Sequence, residues 1–174
     1  MKICLISNKI HLDDNYSKFV NSCDKVVRVN KMENFNSGLT GGRVDVCYLN
    51  PCKKYFRWGD EYTNRHLLKY AEMIFVGSTR WNINKFCSRY GIKQWRWLEA
   101  EKVDIKWTTF SIALKDLSVH YPKSTIYFLG DEKRVDRCPL GWHNNADEED
   151  EFFNKLVQQN RLVPILGQKK YINK

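Results

Sequence analysis

The chain has 174 residues, of which 43% are hydrophobic and 14% aromatic, so it can fold as one domain over residues 1–174 and is not intrinsically disordered. No apolar run approaches the roughly 20 residues of a membrane-spanning helix, and the N-terminal apolar run is too short for a signal peptide. The formal net charge of +9 implies an anionic partner. We expect a cytoplasmic protein, and a peripheral position at a membrane surface stays open.

Apolar runs with strand character alternate with segments of helical spacing along the chain. In chain order we predict strand Lys2–Asn8, helix Asp13–Cys23, strand Lys25–Asn30, a glycine-rich turn at Asn34–Gly42, strand Arg43–Pro51, helix Gly59–Glu72, strand Met73–Gly77, helix Asn82–Gly91, helix Thr108–Pro122, strand Ser124–Gly130, helix Asp147–Asn160 and strand Leu162–Leu166. Strands that alternate with helices predict the α/β class: a Rossmann-like, largely parallel sheet with helices on both faces.

Three successive predicted strands end in asparagine, at Asn8, Asn30 and Asn50. In open parallel sheets, ligands bind outside the carboxyl ends of the strands. An amide side chain both donates and accepts hydrogen bonds. These asparagines are therefore candidates for a ligand-reading rim, with turn formation as the alternative for each.

Two hydroxyl residues, Thr108 and Thr109, stand at the start of a predicted helix. The backbone N–H groups and the dipole at a helix N-terminus suit a phosphate or a carboxylate, although threonine also caps helices without any ligand. Arg28, Arg43 and Arg57 flank predicted strand ends. Each could meet an anionic ligand, but an arginine in such a place is more often a surface residue.

Two common nucleotide-binding motifs are missing from the sequence. Neither a Gly-x-Gly-x-x-Gly fingerprint after the first strand nor a P-loop is present, which excludes the usual oxidoreductases and P-loop enzymes. The stretch Gly130–Glu132 places two carboxylates at a strand end, as metal-dependent glycosyltransferases do. The basic run "KRVDR" that follows competes with a cation, so a surface turn is favoured there.

The cysteines and the one basic aromatic stretch give weak signals. The six cysteines contain no Cys-x-x-Cys pair, and the spacing of Cys47 and Cys52 alone is a poor indication of zinc. We expect reduced thiols and no metal site. The stretch Lys93–Trp97, "KQWRW", mixes bases with aromatic rings as single-strand binders do. A solvated basic face with half-buried tryptophans is favoured there over a nucleic-acid site.

His143 stands just ahead of the acidic run Asp147–Glu151. By its local chemistry alone it is either a base held at a loop end or a bystander before a surface helix, and the second reading is favoured. Acidic residues at a helix start complement the dipole. We therefore expect Glu149, Asp150 and Glu151 to be solvated charges.

Taken in order, these segments resemble the sialyltransferases of glycosyltransferase families 29 and 42. The first strand with its terminal Asn8, then "DKVVRVN" and "TGGRVDVCYLNP", resemble the long donor-binding sialyl motif. The stretch "WTTFSIALKDLSVHYPKSTIYFLGD" is similar to the short motif. The stretch "HNNADE" fits the His-x4-Glu pattern that closes the family's site. The similarity runs in order over Lys2–Leu166.

The resemblance implies a sialyltransferase-type, GT-A-like fold and an inverting, metal-independent transfer. Sialic acid or a related acidic sugar would pass from a CMP-sugar, with no other cofactor, to a hydroxyl of a glycan or lipid-linked glycan. Carried over, His143 would be the general base, since a neutral imidazole accepts a proton near neutral pH. The donor would be contacted by Asn8, Asn30 and Asn50 at its cytidine nucleotide, and by Thr108 and Thr109 at its nucleotide or carboxylate end. Glu148, the last residue of the pattern, would position rather than react.

The sequence departs from the family pattern at three places. Lys9 and Phe110 replace glycines that let the backbone approach the donor. The segment 131–142 is short and lacks the tyrosines that hold the donor phosphate in the family.

Three cations in that short segment, Lys133, Arg134 and Arg137, would take over the phosphate contacts. Three alternatives stay open: a degenerate homologue that binds a nucleotide or glycan without turnover, a metal-dependent transferase of nucleotide-diphosphate sugars, and a basic nucleic-acid-binding protein.

Overall fold

The structure is a computed structural model that describes residues 1–7, 14–30, 32, 38–50, 69–77, 83–99, 107–130 and 146–165. Within these ranges the chain forms strands and helices in alternation. The strands are β1 Lys2–Ile6, β2 Lys25–Val29, β3 Val46–Leu49, β4 Glu72–Gly77, β5 Trp95–Glu99, β6 Thr125–Leu129 and β7 Leu162–Pro164. The helices are α1 Ser17–Ser22, α2 Ile83–Tyr90, α3 Thr109–His120 and α4 Ala146–Gln158.

All the described strands join one sheet in the order β5-β4-β3-β2-β1-β6-β7, and every pairing in it is parallel. The chain winds outward from β1 to β5 and then returns to place β6 on the other side of β1. Ile6 lies opposite Leu129 where these two central strands end. The winding direction reverses between β1 and β6, and such a switch point opens a crevice at the carboxyl ends of the strands.

Both faces of the sheet are covered, because alternate strand residues pack against helices on opposite sides. On one face, residues such as Leu5, Val27 and Ile126 form a buried cluster with Leu114 of α3 and Phe153 of α4. On the other face, strand residues pack on α1 and α2. That side has two clusters, one containing Val20, Val26 and Cys4, and one containing Phe75, Phe86 and Cys87. The predicted α/β sheet with helices on both faces is confirmed.

The predicted strands are all present; each is shorter than expected except β4, which begins one residue earlier. The first and third strands end at Ile6 and Leu49, so Ser7 and Asn50 follow them at the edge of the sheet. The predicted helix Gly59–Glu72 falls outside the described residues up to residue 68. Its last residue, Glu72, belongs instead to β4. None of the helices among the described residues is long and apolar enough to cross a membrane.

The edge strand β5, Trp95–Glu99, was not predicted, although Lys93 is exposed and Trp97 half-buried as the interpretation of "KQWRW" as a basic face with half-buried tryptophans expected. Trp95 is 40% exposed, yet its ring packs edge-on against Phe75 at 5.9 Å. Trp97 packs against the core on the α2 side. Arg96 points to the other face and pairs with Asp116. The alternation of large rings with polar residues is that of a half-buried edge strand.

Candidate functional site

The candidate site is the rim at the carboxyl ends of the central strands. The backbone N–H of Ser7 donates to Leu129 O at 2.8 Å, which holds the ends of β1 and β6 side by side. Helices α3 and α4 precede β6 and β7, and a helix that connects parallel strands runs back against their direction. Their N-termini therefore lie at this same rim, next to the switch point.

Two of the predicted rim asparagines come together at the ends of β2 and β3. Asn30 adopts a left-handed backbone (φ 52°), which asparagine tolerates better than most residues, and its N–H donates to Tyr48 O at 2.7 Å. Its side-chain Oδ1 accepts the backbone N–H of Asn50 at 3.3 Å. The side-chain amide of Asn30 thus lies next to the backbone of Asn50 on the rim. Asn8 lies outside the described residues.

Thr108 caps α3 and also contacts the first turn of α4. Its Oγ1 accepts the N–H of Ser111 at 3.2 Å, as a capping threonine does. Its own backbone N–H donates to Oε1 of Glu149 at 2.8 Å, and its Oγ1 lies 3.0 Å from Oε2. The hydroxyl of Ser111 also donates to Oε2. The neighbouring Thr109 is 7% exposed.

The expectation that Glu149 is a solvated charge is wrong: its side chain is only 4% exposed. The spacing of Glu149 relative to two apolar residues of the same helix indicates this burial. Glu149, Phe153 and Leu156 recur at the i, i+4 and i+7 positions of α4, which share one helix face. The two apolar members are 3% exposed. Asp147 and Glu151, by contrast, are exposed as expected for charges at a helix start.

Arg28 is fully buried rather than presented to a ligand at a strand end. Its guanidinium donates to Thr40 Oγ1 and O at 3.1 and 2.9 Å, to Gly41 O at 3.0 Å and, through Nε, to Arg43 O at 3.0 Å. Burial lowers the pKa of Arg28 from 12.5 to about 10. The side chain therefore fastens the 40–43 segment to β2.

Arg43 likewise serves the scaffold. Its guanidinium donates to Cys23 O at 2.7 Å and to Asp24 O at 2.8 Å, and it pairs with the carboxylate of Asp45 at 2.8 Å. Through these contacts it joins the end of α1 to the start of β3. The third arginine, Arg57, lies outside the described residues.

A second charged cluster, which was not foreseen from the sequence, lies within the sheet–helix interface below the rim. Asp116 accepts hydrogen bonds from the Tyr48 hydroxyl and from Arg96 at 2.6 Å, and His120 Nδ1 lies 3.2 Å from its other oxygen. Burial and the neighbouring Asp116 raise the pKa of Tyr48. Since Asp116 stands two turns into α3, the cluster joins β3 and β5 to the middle of that helix, below the helix start at the rim.

The architecture is similar to that of a solved protein structure. Among solved structures, the chain is similar to a crystal structure of a mammalian sialyltransferase in complex with Gal-beta-1-3GalNAc-ortho-nitrophenol, with a TM-score of 0.61 and 17% identity. The likeness covers 96% of this chain and 70% of that one. The fold is that of a sialyltransferase. At this identity the likeness concerns the fold. No family model matches the chain, and no curated protein matches it.

Several residues predicted for the sialyltransferase-like site lie outside the described residues. They are Asn8, Lys133, Arg134, Arg137 and His143. His143 precedes the first residue of α4, Ala146, by three positions, and Glu148 is exposed in the first turn of that helix. Within the described ranges, no three His, Cys, Asp or Glu side chains are grouped so that they could hold a metal ion.

Proposed function

We propose that this protein is a glycosyltransferase of the sialyltransferase type. It moves sialic acid or a related acidic sugar from a CMP-sugar to a glycan hydroxyl, with inversion and without a metal. The observation that carries the proposal is the sialyltransferase-like fold over 96% of the chain. The meeting of Asn30 and Asn50 at the rim of that fold supports it.

In this reaction the protein mainly has to position the two reactants and stabilise the charge that develops. A base removes the proton of the acceptor hydroxyl while its oxygen forms the new bond to the sugar carbon. The bond from that carbon to the phosphate oxygen breaks, and CMP leaves with the electron pair. His143 is the proposed base, because an imidazole with a pKa of about 6.5 accepts a proton near neutral pH. Holding the two reactants in line provides a large part of the rate enhancement.

The proposed donor contacts follow from what the rim offers. Asn30 and Asn50, with Asn8, would read the cytidine nucleotide. The donors of Thr108 already engage the Glu149 carboxylate. This favours the asparagines over Thr108 and its neighbour Thr109 as the main contacts of an anionic donor. Lys133, Arg134 and Arg137 would contact the phosphate, and a glycan or lipid-linked glycan would be the acceptor.

A thermal-shift screen of CMP, CDP, UDP and GDP, each with and without Mg²⁺, tests the nucleotide class. A ligand at 100 times its Kd stabilises the folded state by about 2.7 kcal/mol, which corresponds to a rise in Tm of about 5–10 °C for a chain of this size. We expect such a rise with CMP, independent of Mg²⁺. A rise with UDP or GDP that requires Mg²⁺ favours a metal-dependent transferase, and no rise with any nucleotide refutes the proposal.

The role of His143 is tested by His143→Ala in a transfer assay with CMP-sialic acid and a panel of glycan acceptors. We expect transfer to be abolished while CMP still raises the Tm. His120→Ala is the matched control, because His120 is exposed and stands at the far end of α3 from the rim. It should transfer at the wild-type rate. Full activity of His143→Ala would contradict the proposed base.

One observation favours a second candidate, a homologue that binds the donor nucleotide without turnover. Phe110 stands where the family has a glycine, and its ring packs against Phe128 with centroids 4.6 Å apart. A bulky side chain thus stands in the first turn of α3 at the rim. A rise in Tm with CMP, but neither transfer nor hydrolysis of the CMP-sugar by the wild-type protein, would favour this candidate.

A further inference from the structure

A buried carboxylate connects the two helices that begin at the rim. Glu149, in the first turn of α4, accepts the backbone N–H of Thr108 at 2.8 Å and lies within hydrogen-bond distance of the hydroxyls of Thr108 and Ser111 at the start of α3. Ser111 is 2% exposed and Glu149 is 4% exposed. The Ser111–Glu149 contact is therefore buried, while the contacts of Thr108 are partly buried.

The arrangement suits an ionised carboxylate. A buried carboxylate must be matched by hydrogen-bond donors, and here three donors surround its two oxygens. The N-termini of α3 and α4 both direct positive dipole ends towards it. Since α3 precedes β6 and α4 follows it, the carboxylate fixes the two helix starts on either side of the β6 carboxyl end.

We infer that Glu149 is a positioning residue for the transfer reaction, an inference that rests on the proposed function. His143 precedes α4 by three residues, so the covalent chain limits its Cα to about 11 Å from that of Ala146. Glu149 ties the first turn of α4 to α3, and a displacement of that turn would move the point from which the chain continues to His143. A displacement of about 1 Å at a reacting group costs up to about 100-fold in rate.

The negative charge of Glu149 makes it possible to distinguish a positioning role from a role in donor binding. Glu149 adds a negative charge near a site for an anionic donor, so its removal cannot weaken donor binding by loss of attraction. Leucine at this position removes the charge and every hydrogen bond to α3. Glutamine removes the charge but keeps one acceptor oxygen for the Thr108 N–H, and the two hydroxyls can turn to meet its NH₂ group.

The experiment measures kcat and the donor KM, with CMP-sialic acid and a saturating acceptor, for Glu149→Leu and Glu149→Gln. Glu151→Leu is the matched control, because Glu151 is exposed two positions further along α4. We expect kcat to fall about 10–100-fold in Glu149→Leu and less in Glu149→Gln, with the donor KM unchanged or lower in both. Glu151→Leu should retain the wild-type kcat.

Three results would overturn the inference while the proposed function stands. They are a folded Glu149→Leu with the wild-type kcat, a loss that appears only as a raised donor KM, and an unfolded Glu149→Leu beside a Glu149→Gln with the wild-type kcat. The last of these would make Glu149 purely structural. If the wild-type protein transfers no sugar to any acceptor, the proposed function fails and the inference fails with it. The wild-type assay therefore distinguishes the two failures.

Discussion

The buried arginine of β2 offers a direct test of what holds the 40–43 segment in place. Arg28 is 1% exposed and donates four hydrogen bonds to Thr40, Gly41 and Arg43. Arg28→Met keeps most of the side-chain stem and removes every donor. Arg28→Lys keeps the charge but replaces the planar fork with a single ammonium.

The expected loss of stability follows from which acceptors are sealed. Thr40 is fully buried, so its carbonyl and hydroxyl cannot turn to water, and each unsatisfied buried acceptor costs about 1–3 kcal/mol. Methionine also removes the cost of a buried charge. The lowering of the pKa of Arg28 to about 10 sets that cost at about 3 kcal/mol. After this partial offset we expect Arg28→Met to lower the free energy of unfolding by about 1–3 kcal/mol.

Arg28→Lys should be at least as destabilising as Arg28→Met, because a compact, strongly hydrated ammonium keeps the buried charge and reaches fewer of the acceptors. Urea denaturation, with the midpoint and the slope fitted separately, measures both variants. Arg89→Met is the control, since Arg89 is exposed in the last turn of α2, and it should stay within about 0.5 kcal/mol of wild type.

If Arg28→Lys were as stable as the wild type, the planar guanidinium would not be needed to hold the 40–43 segment. If Arg28→Met kept the wild-type stability but lost CMP binding, Arg28 would instead be a cation that contacts the ligand.

Two further substitutions test the packing of residues in β3 and next to β6. Burial raises the pKa of the Cys47 thiol from 9.0 to about 12, so the stability it contributes is complete below pH 9 and is lost as the pH rises towards 12. Between pH 7 and 10, under reducing conditions, the wild type should lose about 1.4 kcal/mol more stability than Cys47→Ala, and equal losses would contradict this. A Cβ on Gly130 would overlap the ring of Phe128, so Gly130→Ala should cost about 1–3 kcal/mol. The cost should be smaller when Phe128→Leu is already present, as a double-mutant cycle would measure.

The sheet could be predicted because it is parallel and buried on both faces. Strands that are buried on both faces are continuous apolar runs, as in β1 and β3, because residues pointing to either face of the sheet are buried. The edge strand β5 lacks this property, since Trp95 and Arg96 are partly exposed and its composition is that of a basic surface. Its pairing with β4 over Met73 to Gly77 depends on a distant part of the chain. A local pattern does not contain that information.

The candidate site could be predicted only in part, for a related reason. The position of Asn30 and Asn50 at strand ends follows from the order of the strands, and their contact follows from the parallel register. The burial of Glu149 could have been foreseen from its spacing with Phe153 and Leu156. Its partners could not, because Thr108 lies 41 residues earlier in the chain. The burial of Arg28 depends in the same way on acceptors 12 to 15 residues away.

The buried Glu149 also changes where an anion can bind on this rim. A helix N-terminus attracts one anionic group through its unpaired N–H donors and its dipole, and at α3 a carboxylate of the chain itself takes that place. An incoming phosphate would have to displace the Glu149 carboxylate or bind elsewhere. The ends of β2 and β3 offer amides, whose neutral dipoles accept either sign of charge. For the proposed transfer we therefore expect the anionic donor beside Asn30 and Asn50, while the start of α3 holds the first turn of α4.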